Sequence, residues 1–338
     1  MSLAAEFIKQ RIRQKGMIPF DEYVDIALYD LEHGFYVKEH DIKDHFVTAP
    51  MLGDWLARSL VSHWLKESQD LLIKGITEWG AGRGDLMYSI MMNLYHRGIK
   101  NISYVCVERS SGQKKHIMEK ILTLPEDIRA QVKVMSKPTA ITGIILANEF
   151  LDALPFKRFV VEGGKAYEQV VRIEHDELVL SKSNVEMSLP FDVSQYPDGY
   201  TSEILPVAQA WFDQQIKAGM QCLWVIIDYG YLCDEYYHIE RHTGTMQAFR
   251  YHQVISNWLA KPGSCDLTAH VDFSALIKRL SDHCPYRIRT QRQYMIESGI
   301  FESTKPENME ATSLKILMLP GQMGDLVKVF EVLKKEGA

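Results

Sequence analysis

The spacing of apolar residues divides the chain into a helical beginning and a long alternating remainder. Before residue 70, apolar positions recur every three or four residues, which is the period of an amphipathic helix. Three such faces predict three helices, with the apolar sets Phe7, Ile8 and Ile12; Phe20, Tyr23, Val24, Ala27 and Leu28; and Leu52, Trp55, Leu56, Leu60 and Trp64. We therefore expect residues 1–70 to form an N-terminal helical extension, in which the aromatic and turn-rich stretch 34–50 is a lid or pocket wall.

From residue 71 onward, short runs typical of β-strands alternate with helical patterns, which predicts an α/β fold with βαβ units on a parallel sheet. The predicted strands are 76–79, with Leu71, Leu72 and Ile73 leading into it, 102–107, 132–135, 144–147 and 223–227. Residues 71–155 and 203–338 are expected to form this core. The segment 156–202 is expected to be an inserted antiparallel β subdomain, because Gly163-Gly164 and a charged turn separate its β-like runs.

A glycine-rich turn follows the first predicted strand of the core, with the sequence Thr77-Glu78-Trp79-Gly80-Ala81-Gly82-Arg83-Gly84-Asp85. Glycine allows a sharp turn and a close approach of the backbone to a ligand, and the helix predicted after it offers unbonded N–H groups. We expect Gly80, Gly82 and Gly84 to cradle a nucleotide-like cofactor. The spacing departs from the dinucleotide fingerprint, because Asp85 stands at the position of the third small residue. Glu78 would repel a pyrophosphate but attract an ammonium group.

Polar residues also follow two neighbouring strands of the predicted sheet. Glu108 ends the strand 102–107, where α/β nucleotide sites commonly hold a ribose through its hydroxyls. Asn148, Glu149 and Asp152 follow the strand 144–147. If a helical turn begins there, Glu149 and Asp152 share a face and are expected to clamp a guanidinium or ammonium group and to accept a proton. This edge is the predicted reaction centre; the alternative is a helix cap at Asp152 and an exposed Glu149.

The composition limits the kinds of ligand and partner that the protein is expected to bind. The 338 residues carry a net charge of −6 without a dense Lys/Arg run, which argues against nucleic-acid binding. Five cysteines without a C-x-x-C pair fit a reducing compartment. We expect no metal, because Cys233, His238 and His242 lack the second close ligand pair of structural zinc sites.

The sequence also bears on membrane association and on location in the cell. No apolar run approaches the ~18 residues of a membrane span, so we expect no membrane partner. The N-terminus carries neither a signal-peptide core nor the composition of a transit peptide. We therefore expect a cytoplasmic protein.

Five segments of the chain together resemble one protein family. They are Glu78–Gly84, Asn148–Pro155, Ile227–Gly230, Gly244–His252 and Asp266–Phe273. The combination resembles the MidA-type family of S-adenosylmethionine-dependent methyltransferases over about residues 17–330. The resemblance implies a class I methyltransferase fold, which is Rossmann-like, with helices on both faces of a mostly parallel sheet. It also implies S-adenosylmethionine as the cofactor and S-adenosylhomocysteine as its product.

The family pattern extends the predicted site. We expect the cofactor to be bound by Thr48, Pro50, Glu78, Gly80, Gly82, Gly84, Glu108 and Asn148. We expect the catalytic residues to be Glu149, Asp152, Asp228 and His270, with Arg250 and His252 shaping the acceptor pocket. Because mitochondrial members are implicated in protein arginine methylation, the resemblance implies a protein substrate and direct methyl transfer to an arginine side chain. Two alternatives remain open: a non-catalytic assembly protein that retains the cofactor fold, and a nicotinamide-dependent dehydrogenase.

Overall fold

The computed structural model describes residues 3–37, 47–67, 75–138, 143–218, 221–282, 284–300 and 308–334. The helices are α1 (Leu3–Lys15), α2 (Phe20–Tyr29), α3 (Trp55–Glu67), α4 (Asp85–His96), α5 (Ser111–Thr123), α6 (Glu126–Arg129), α7 (Pro206–Ala218), α8 (Cys233–Tyr236), α9 (Phe273–Ile277), α10 (Gln291–Glu297), α11 (Asn308–Met318) and α12 (Met323–Leu326). Short 3₁₀ helices cover Phe35–Val37 and Ala49–Leu52. The predicted residues Leu71–Ile73, and the stretch 38–46 of the predicted lid, lie outside the described residues.

The strands are β1 (Ile18–Pro19), β2 (Gly75–Trp79), β3 (Ser103–Val107), β4 (Val132–Met135), β5 (Gly143–Asn148), β6 (Lys157–Glu162), β7 (Lys165–Glu174), β8 (Glu177–Glu186), β9 (Thr201–Ile204), β10 (Cys222–Tyr231), β11 (Gln247–Arg250), β12 (Gln253–Val254), β13 (Asp266–Thr268), β14 (Val271–Asp272), β15 (Tyr286–Thr290) and β16 (Val327–Lys334). All five strands predicted for the core are present as β2, β3, β4, β5 and β10.

The chain divides into two compact units. The first, which we call the hairpin unit, contains Met1–Phe46, Asp152–Trp211 and Tyr231–Leu276. The second, the sheet unit, contains Val47–Leu151, Phe212–Gly230 and Ile277–Ala338. This grouping differs from the predicted extension, core and insertion, because β1 pairs with β7 and so joins α1 and α2 to the inserted strands.

The sheet unit is built on a mixed sheet with the strand order β15-β16-β10-β5-β2-β3-β4. From β10 to β4 all neighbours are parallel, whereas β16 runs antiparallel to both β10 and β15. The order reverses at β2, since β3 lies on one side of it and β5 on the other. Open α/β sheets bind ligands at the carboxyl ends of the strands around such a switch point. The mostly parallel α/β fold predicted from the sequence is confirmed.

Helix α4 shows why the spacing of apolar residues predicts a helix. Five of its apolar side chains recur at helical spacing and are buried, namely Leu86, Met87, Ile90, Met91 and Leu94. They pack in one core with residues of α3 and of the sheet, including Trp64, Tyr104 and Leu146. Burying such a face is what stabilises a helix of this length, because isolated short helices are marginal in water.

The hairpin unit contains the antiparallel strands. Its larger sheet has the order β1-β7-β6-β9, with β8 paired to β7. β9 extends the insertion past residue 202, because Ile204 pairs with Lys157. A smaller sheet of β12, β11 and β13 was not predicted. The core around α2 is aromatic: the ring of Phe20 lies 5.6 Å from the rings of both Phe156 and Trp258.

No helix among the residues that the structure describes combines the length and the apolar character needed to cross a bilayer.

Candidate functional site

The turn after β2 holds three glycines in left-handed conformations for different reasons. At Gly80 (φ 66°) an added Cβ would lie 2.6 Å from Cδ2 of Phe150, so only glycine fits. Gly84 (φ 77°) is the N-cap of α4. Gly82 (φ 52°) borders open space, since the nearest described atom to an added Cβ would be the Gly80 carbonyl oxygen at 3.9 Å. Gly80 and Gly84 therefore satisfy backbone and packing requirements, whereas Gly82 leaves room for a ligand.

The carboxylate of Glu108 is tied to this turn. Its Oε2 accepts the Gly82 N–H at 2.9 Å, and its Oε1 accepts the Ser110 N–H at 2.8 Å. Burial raises the pKa of Glu108, and the backbone hydrogen bonds from Ser110 and Gly82 oppose that rise. A carboxylate oxygen can accept more than one hydrogen bond. Glu108 can therefore receive the hydroxyls of a ribose while it holds the glycine turn.

Glu78 is buried inside the sheet and accepts a hydrogen bond from the Tyr104 hydroxyl at 2.8 Å. Burial raises its pKa from 4.5 to about 8; the Tyr104 hydrogen bond opposes the rise, and the charge of Glu108 adds to it. A nearby ammonium group would favour the ionised form. The sequence analysis did not predict Tyr104 as the partner of Glu78. The only sequence signal for it is the alternation of side chains along the strand 102–107.

Asp85 opens α4, and its carboxylate forms ion pairs with Lys120 and Arg83. The N–H groups at such a helix start are where a dinucleotide pyrophosphate binds. A fixed carboxylate there disfavours a second anion. The residues present thus fit a cofactor that carries no phosphate.

The end of β5 forms a corner at Glu149, which is a non-glycine residue with φ 47°. Its N–H donates to the Ile227 carbonyl oxygen at 2.8 Å. Its Oε1 accepts the Ala49 N–H at 3.1 Å and Nδ2 of Asn148 at 3.3 Å. The contact with Ala49 brings the predicted residues Thr48 and Pro50, which flank it, to this end of the strand.

Asn148 carries an unsatisfied acceptor at the same corner. Its Oδ1 is buried and has no hydrogen-bond partner within the part of the chain that the structure describes. Leaving a buried polar atom unsatisfied costs about 1–3 kcal/mol, so such an atom in a site points to a ligand. With the space at Gly82 and the carboxylate of Glu108, it fits a ligand bearing several hydrogen-bond donors.

Asp228 holds the turn that follows the corner. Its side chain is fully buried; Oδ2 accepts the Phe150 and Leu151 N–H groups at 3.2 and 2.8 Å, and Oδ1 accepts the Tyr229 N–H at 2.9 Å. These contacts make Asp228 a positioning residue for the turn. A direct catalytic role stays a prediction.

The prediction that Glu149 and Asp152 share one face of a helical turn is wrong, because residues 149–154 form bends and a turn. The N–H groups of residues 149–151 donate to the Ile227 carbonyl and the Asp228 carboxylate of β10 and do not form the hydrogen bonds of a helix.

Among the twelve predicted catalytic and cofactor-binding residues, Asp152 and His270 belong to the hairpin unit and the other ten belong to the sheet unit. The predicted pocket residues Arg250 and His252 also belong to the hairpin unit. Asp152 is buried, and its carbonyl oxygen accepts the Ala269 N–H at 3.0 Å. The His270 ring packs 5.3 Å from the Tyr231 ring, and its backbone N–H donates to Thr245 Oγ1 at 3.1 Å. Their catalytic roles stay predictions.

The hairpin unit also contains a partly buried pair of side chains that the sequence did not predict. The Tyr36 hydroxyl donates to Oδ1 of Asp266 at 2.9 Å, and the Tyr29 ring stacks on Tyr36 at 5.5 Å. Burial raises the pKa of Asp266 to about 6. Burial also raises the pKa of Tyr36, and the charges of Asp266 and Asp152 add to that rise. Tyr36 lies in the predicted lid and Asp266 in the last family segment, but no sequence pattern links the two residues.

No group of three or more His, Cys, Asp or Glu side chains among the described residues is arranged to hold a metal ion.

The profile of one protein family matches residues 55–290, which is more than half of the chain. Its description is "Putative S-adenosyl-L-methionine-dependent methyltransferase". The match confirms the resemblance inferred from the five motif segments and selects the methyltransferase from the alternatives.

Individual relatives agree with the family match. The mitochondrial protein arginine methyltransferase NDUFAF7 homolog of Drosophila melanogaster is 26% identical, over 96% of this chain and 83% of its own length. NDUFAF7 of Danio rerio is 26% identical over 96% of this chain and 86% of its own length. The expectation of a cytoplasmic protein is contradicted, because these relatives are named mitochondrial, as is the human protein.

The fold is shared with a solved structure. A protein from Burkholderia thailandensis, crystallised with S-adenosyl-homocysteine, is 24% identical and superposes with a TM-score of 0.87, over 98% of this chain and 92% of that one. This likeness confirms the class I fold. The chain thus belongs to the S-adenosylmethionine-dependent methyltransferase family, and it is an enzyme that uses S-adenosylmethionine as its cofactor.

Proposed function

We propose that this methyltransferase acts on an arginine side chain of a protein substrate. The observation that carries the proposal is the corner after β5, where the Asn148 amide donates through Nδ2 to the Glu149 carboxylate and its own Oδ1 is unsatisfied among the described residues. A guanidinium group is a planar, permanently charged donor that suits such acceptors. The names of the relatives from Drosophila melanogaster and Danio rerio support the same substrate class.

Residues at the carboxyl ends of β2 and β3 would hold the cofactor. The backbone at Gly82 leaves space for it, Glu108 would accept its ribose hydroxyls, and Glu78 would receive its ammonium group. S-Adenosylmethionine supplies a methyl group on a positively charged sulfur, which keeps the electrons of the broken carbon–sulfur bond. The protein's contribution is then to orient the acceptor and to stabilise its charge.

Glu149 would act on the acceptor. The arginine pKa lies above ~12, so bulk deprotonation cannot provide a neutral nucleophile. The Glu149 carboxylate would hold the guanidinium and accept the one proton that the acceptor nitrogen loses for each methyl group gained. Its position is fixed before substrate arrives, because Ala49 and Asn148 donate to its Oε1.

The experiment is label transfer. Purified protein and S-adenosylmethionine labelled in its methyl group are incubated with a lysate that lacks the endogenous protein, and the labelled protein is hydrolysed to amino acids. We expect label in methylarginine, and a large loss of label with Glu149→Gln. Label in methyl-lysine, or only in a small molecule, would contradict the proposal.

A further inference from the structure

One acceptor at the end of β5 is left over when the cofactor's donors are assigned. In the proposed site, the ammonium group is received by Glu78, which lies near the end of β2, and the ribose by Glu108, which follows β3. β5 lies on the opposite side of β2 from β3, so β3 and β5 are roughly 10 Å apart at ~4.8 Å per strand. The buried Oδ1 of Asn148 therefore remains for a donor on the methyl acceptor.

The orientation of this amide is fixed by its neighbour. Nδ2 of Asn148 donates to Oε1 of Glu149 at 3.3 Å. The reversed amide would set an oxygen against the carboxylate oxygen, where neither atom can donate. Oδ1 is consequently the amide atom that lacks a hydrogen-bond partner among the described residues.

The corner that carries these two side chains is rigid. The N–H groups of Glu149, Phe150 and Leu151 are all bonded to the carbonyl of Ile227 or the carboxylate of Asp228. The Glu149 side chain is also held by the Ala49 N–H. Acceptors fixed in advance cost little reorganisation when a ligand binds.

We infer that Oδ1 of Asn148 accepts an N–H of the substrate guanidinium and, beside the Glu149 carboxylate, seats that group through its edge. This inference rests on the proposed arginine substrate. It makes Asn148 a specificity-determining residue for the acceptor, where the sequence predicts a cofactor contact. A guanidinium donates in its own plane through a fixed fork, so a seat at its edge leaves the face of the nitrogen open to the methyl donor. A lysine ammonium lacks that fork.

The test measures binding, so it does not depend on turnover. The S-adenosylhomocysteine complexes of the wild type, Asn148→Ala and Asn148→Asp are titrated by NMR with N-acetyl-arginine methylamide and with the corresponding lysine compound. Asn101→Ala, at an exposed asparagine, is the matched control. S-Adenosylhomocysteine affinity is measured separately by calorimetry, which also verifies that each variant is folded.

For Asn148→Ala we expect S-adenosylhomocysteine affinity within about twofold of wild type and arginine-probe affinity lower by about tenfold or more, equivalent to ~1.4 kcal/mol. Asn148→Asp, which keeps an acceptor oxygen, should bind the arginine probe better than the alanine variant. A tenfold loss of S-adenosylhomocysteine affinity in Asn148→Ala, or unchanged arginine binding, overturns the inference. If the wild-type complex itself does not prefer the arginine probe, the proposed function fails, and the inference fails with it.

Discussion

At the scale of single residues, the site is built from atoms held in unfavourable states. Glu149 has a left-handed backbone, the carboxyl group of Glu78 is buried and that of Glu108 is half-buried, and Oδ1 of Asn148 is unsatisfied among the described residues. Each state costs on the order of 1–3 kcal/mol without a compensating contact. Such costs concentrate where ligands bind, because the ligand supplies the missing interactions.

Gly82 offers the first residue-scale prediction. Gly82→Ala places a methyl group in the space left for the cofactor and forces alanine to adopt φ 52°, which costs roughly 1–2 kcal/mol. We expect a similar loss of stability in thermal unfolding, together with at least about a tenfold loss of S-adenosylhomocysteine affinity in calorimetry.

The matched control is Gly98→Ala. Gly98 also has a positive φ, of 76°, and an added Cβ there would meet no described atom within 4 Å. This variant should lose comparable stability and keep its affinity. Equal affinities in the two variants would remove Gly82 from the cofactor site.

Glu78 predicts a pH dependence of stability. Its pKa is about 8 in the folded protein against 4.5 as the ordinary value, so the folded state keeps a proton that the unfolded chain releases. The free energy of unfolding should therefore fall as the pH rises from about 5 to about 8, by up to ~1.4 kcal/mol per pH unit. The glutamine of Glu78→Gln does not titrate. In urea unfolding, the stability of this variant relative to wild type should therefore be higher at pH 8 than at pH 5.5.

The comparison isolates Glu78 because other groups with raised pKa, such as Asp266, are present in both proteins. Glu6→Gln, at an exposed carboxyl group of α1, is the control and should show no such difference. A stability difference between Glu78→Gln and wild type that is the same at both pH values would mean that Glu78 is ionised in the folded protein.

At the scale of elements, the turn after β5 is defined by a side chain on the neighbouring strand. Asp228 supplies acceptors for three backbone N–H groups, and an asparagine would replace one carboxylate oxygen by an NH₂ donor. Because hydrogen bonds to a charged group contribute ~1.5–3 kcal/mol each, we expect Asp228→Asn to lower the free energy of unfolding by about 2–4 kcal/mol.

Asp213→Asn serves as the matched control in the same unit. Asp213 pairs with Arg279 while a third of its side chain is exposed, and its replacement should cost less than about 1 kcal/mol. If Asp228→Asn unfolds like this control but abolishes methyl transfer, Asp228 acts in the chemistry directly and its positioning role is secondary.

The elements that the sequence predicted are those whose burial follows one simple period. α4 buries one helical face, and β2, β3 and β5 are short apolar runs inside a parallel sheet. β16 was missed because charged residues interrupt it. Its Glu331 is buried, and the ion pair with Arg289 and the nearby His63 compensate that charge. Because the residues that compensate the Glu331 charge are far apart in sequence, no local sequence pattern indicates that this strand is buried.

The candidate site also has features that the sequence predicts and features that it does not. The glycine turn, Glu108 and the polar end of β5 were predictable, because parallel strands bring their carboxyl ends to one edge. Neither the Tyr104 hydroxyl on Glu78 nor the positive φ of Glu149 was predictable, since both depend on packing across strands. The assumption of a helical turn failed at 149–154, where β10 provides the hydrogen-bond partners.

At the scale of the whole molecule, the chain combines a methyltransferase sheet unit with a hairpin unit assembled from three separated segments. The family match extends through residues of both units, from 55 to 290. The sheet unit contains every predicted cofactor residue, so cofactor binding is the property of this protein that the fold and the family membership define together.

The most direct test of the proposed cofactor site is a crystal structure of the protein with S-adenosylhomocysteine. We expect the ligand to lie at the carboxyl ends of β2 and β3, with its backbone contact at Gly82, its ribose hydroxyls on Glu108, and Oδ1 of Asn148 without a contact to it. A ligand bound away from the turn 80–84, or one whose ribose does not contact Glu108, would contradict the proposed site.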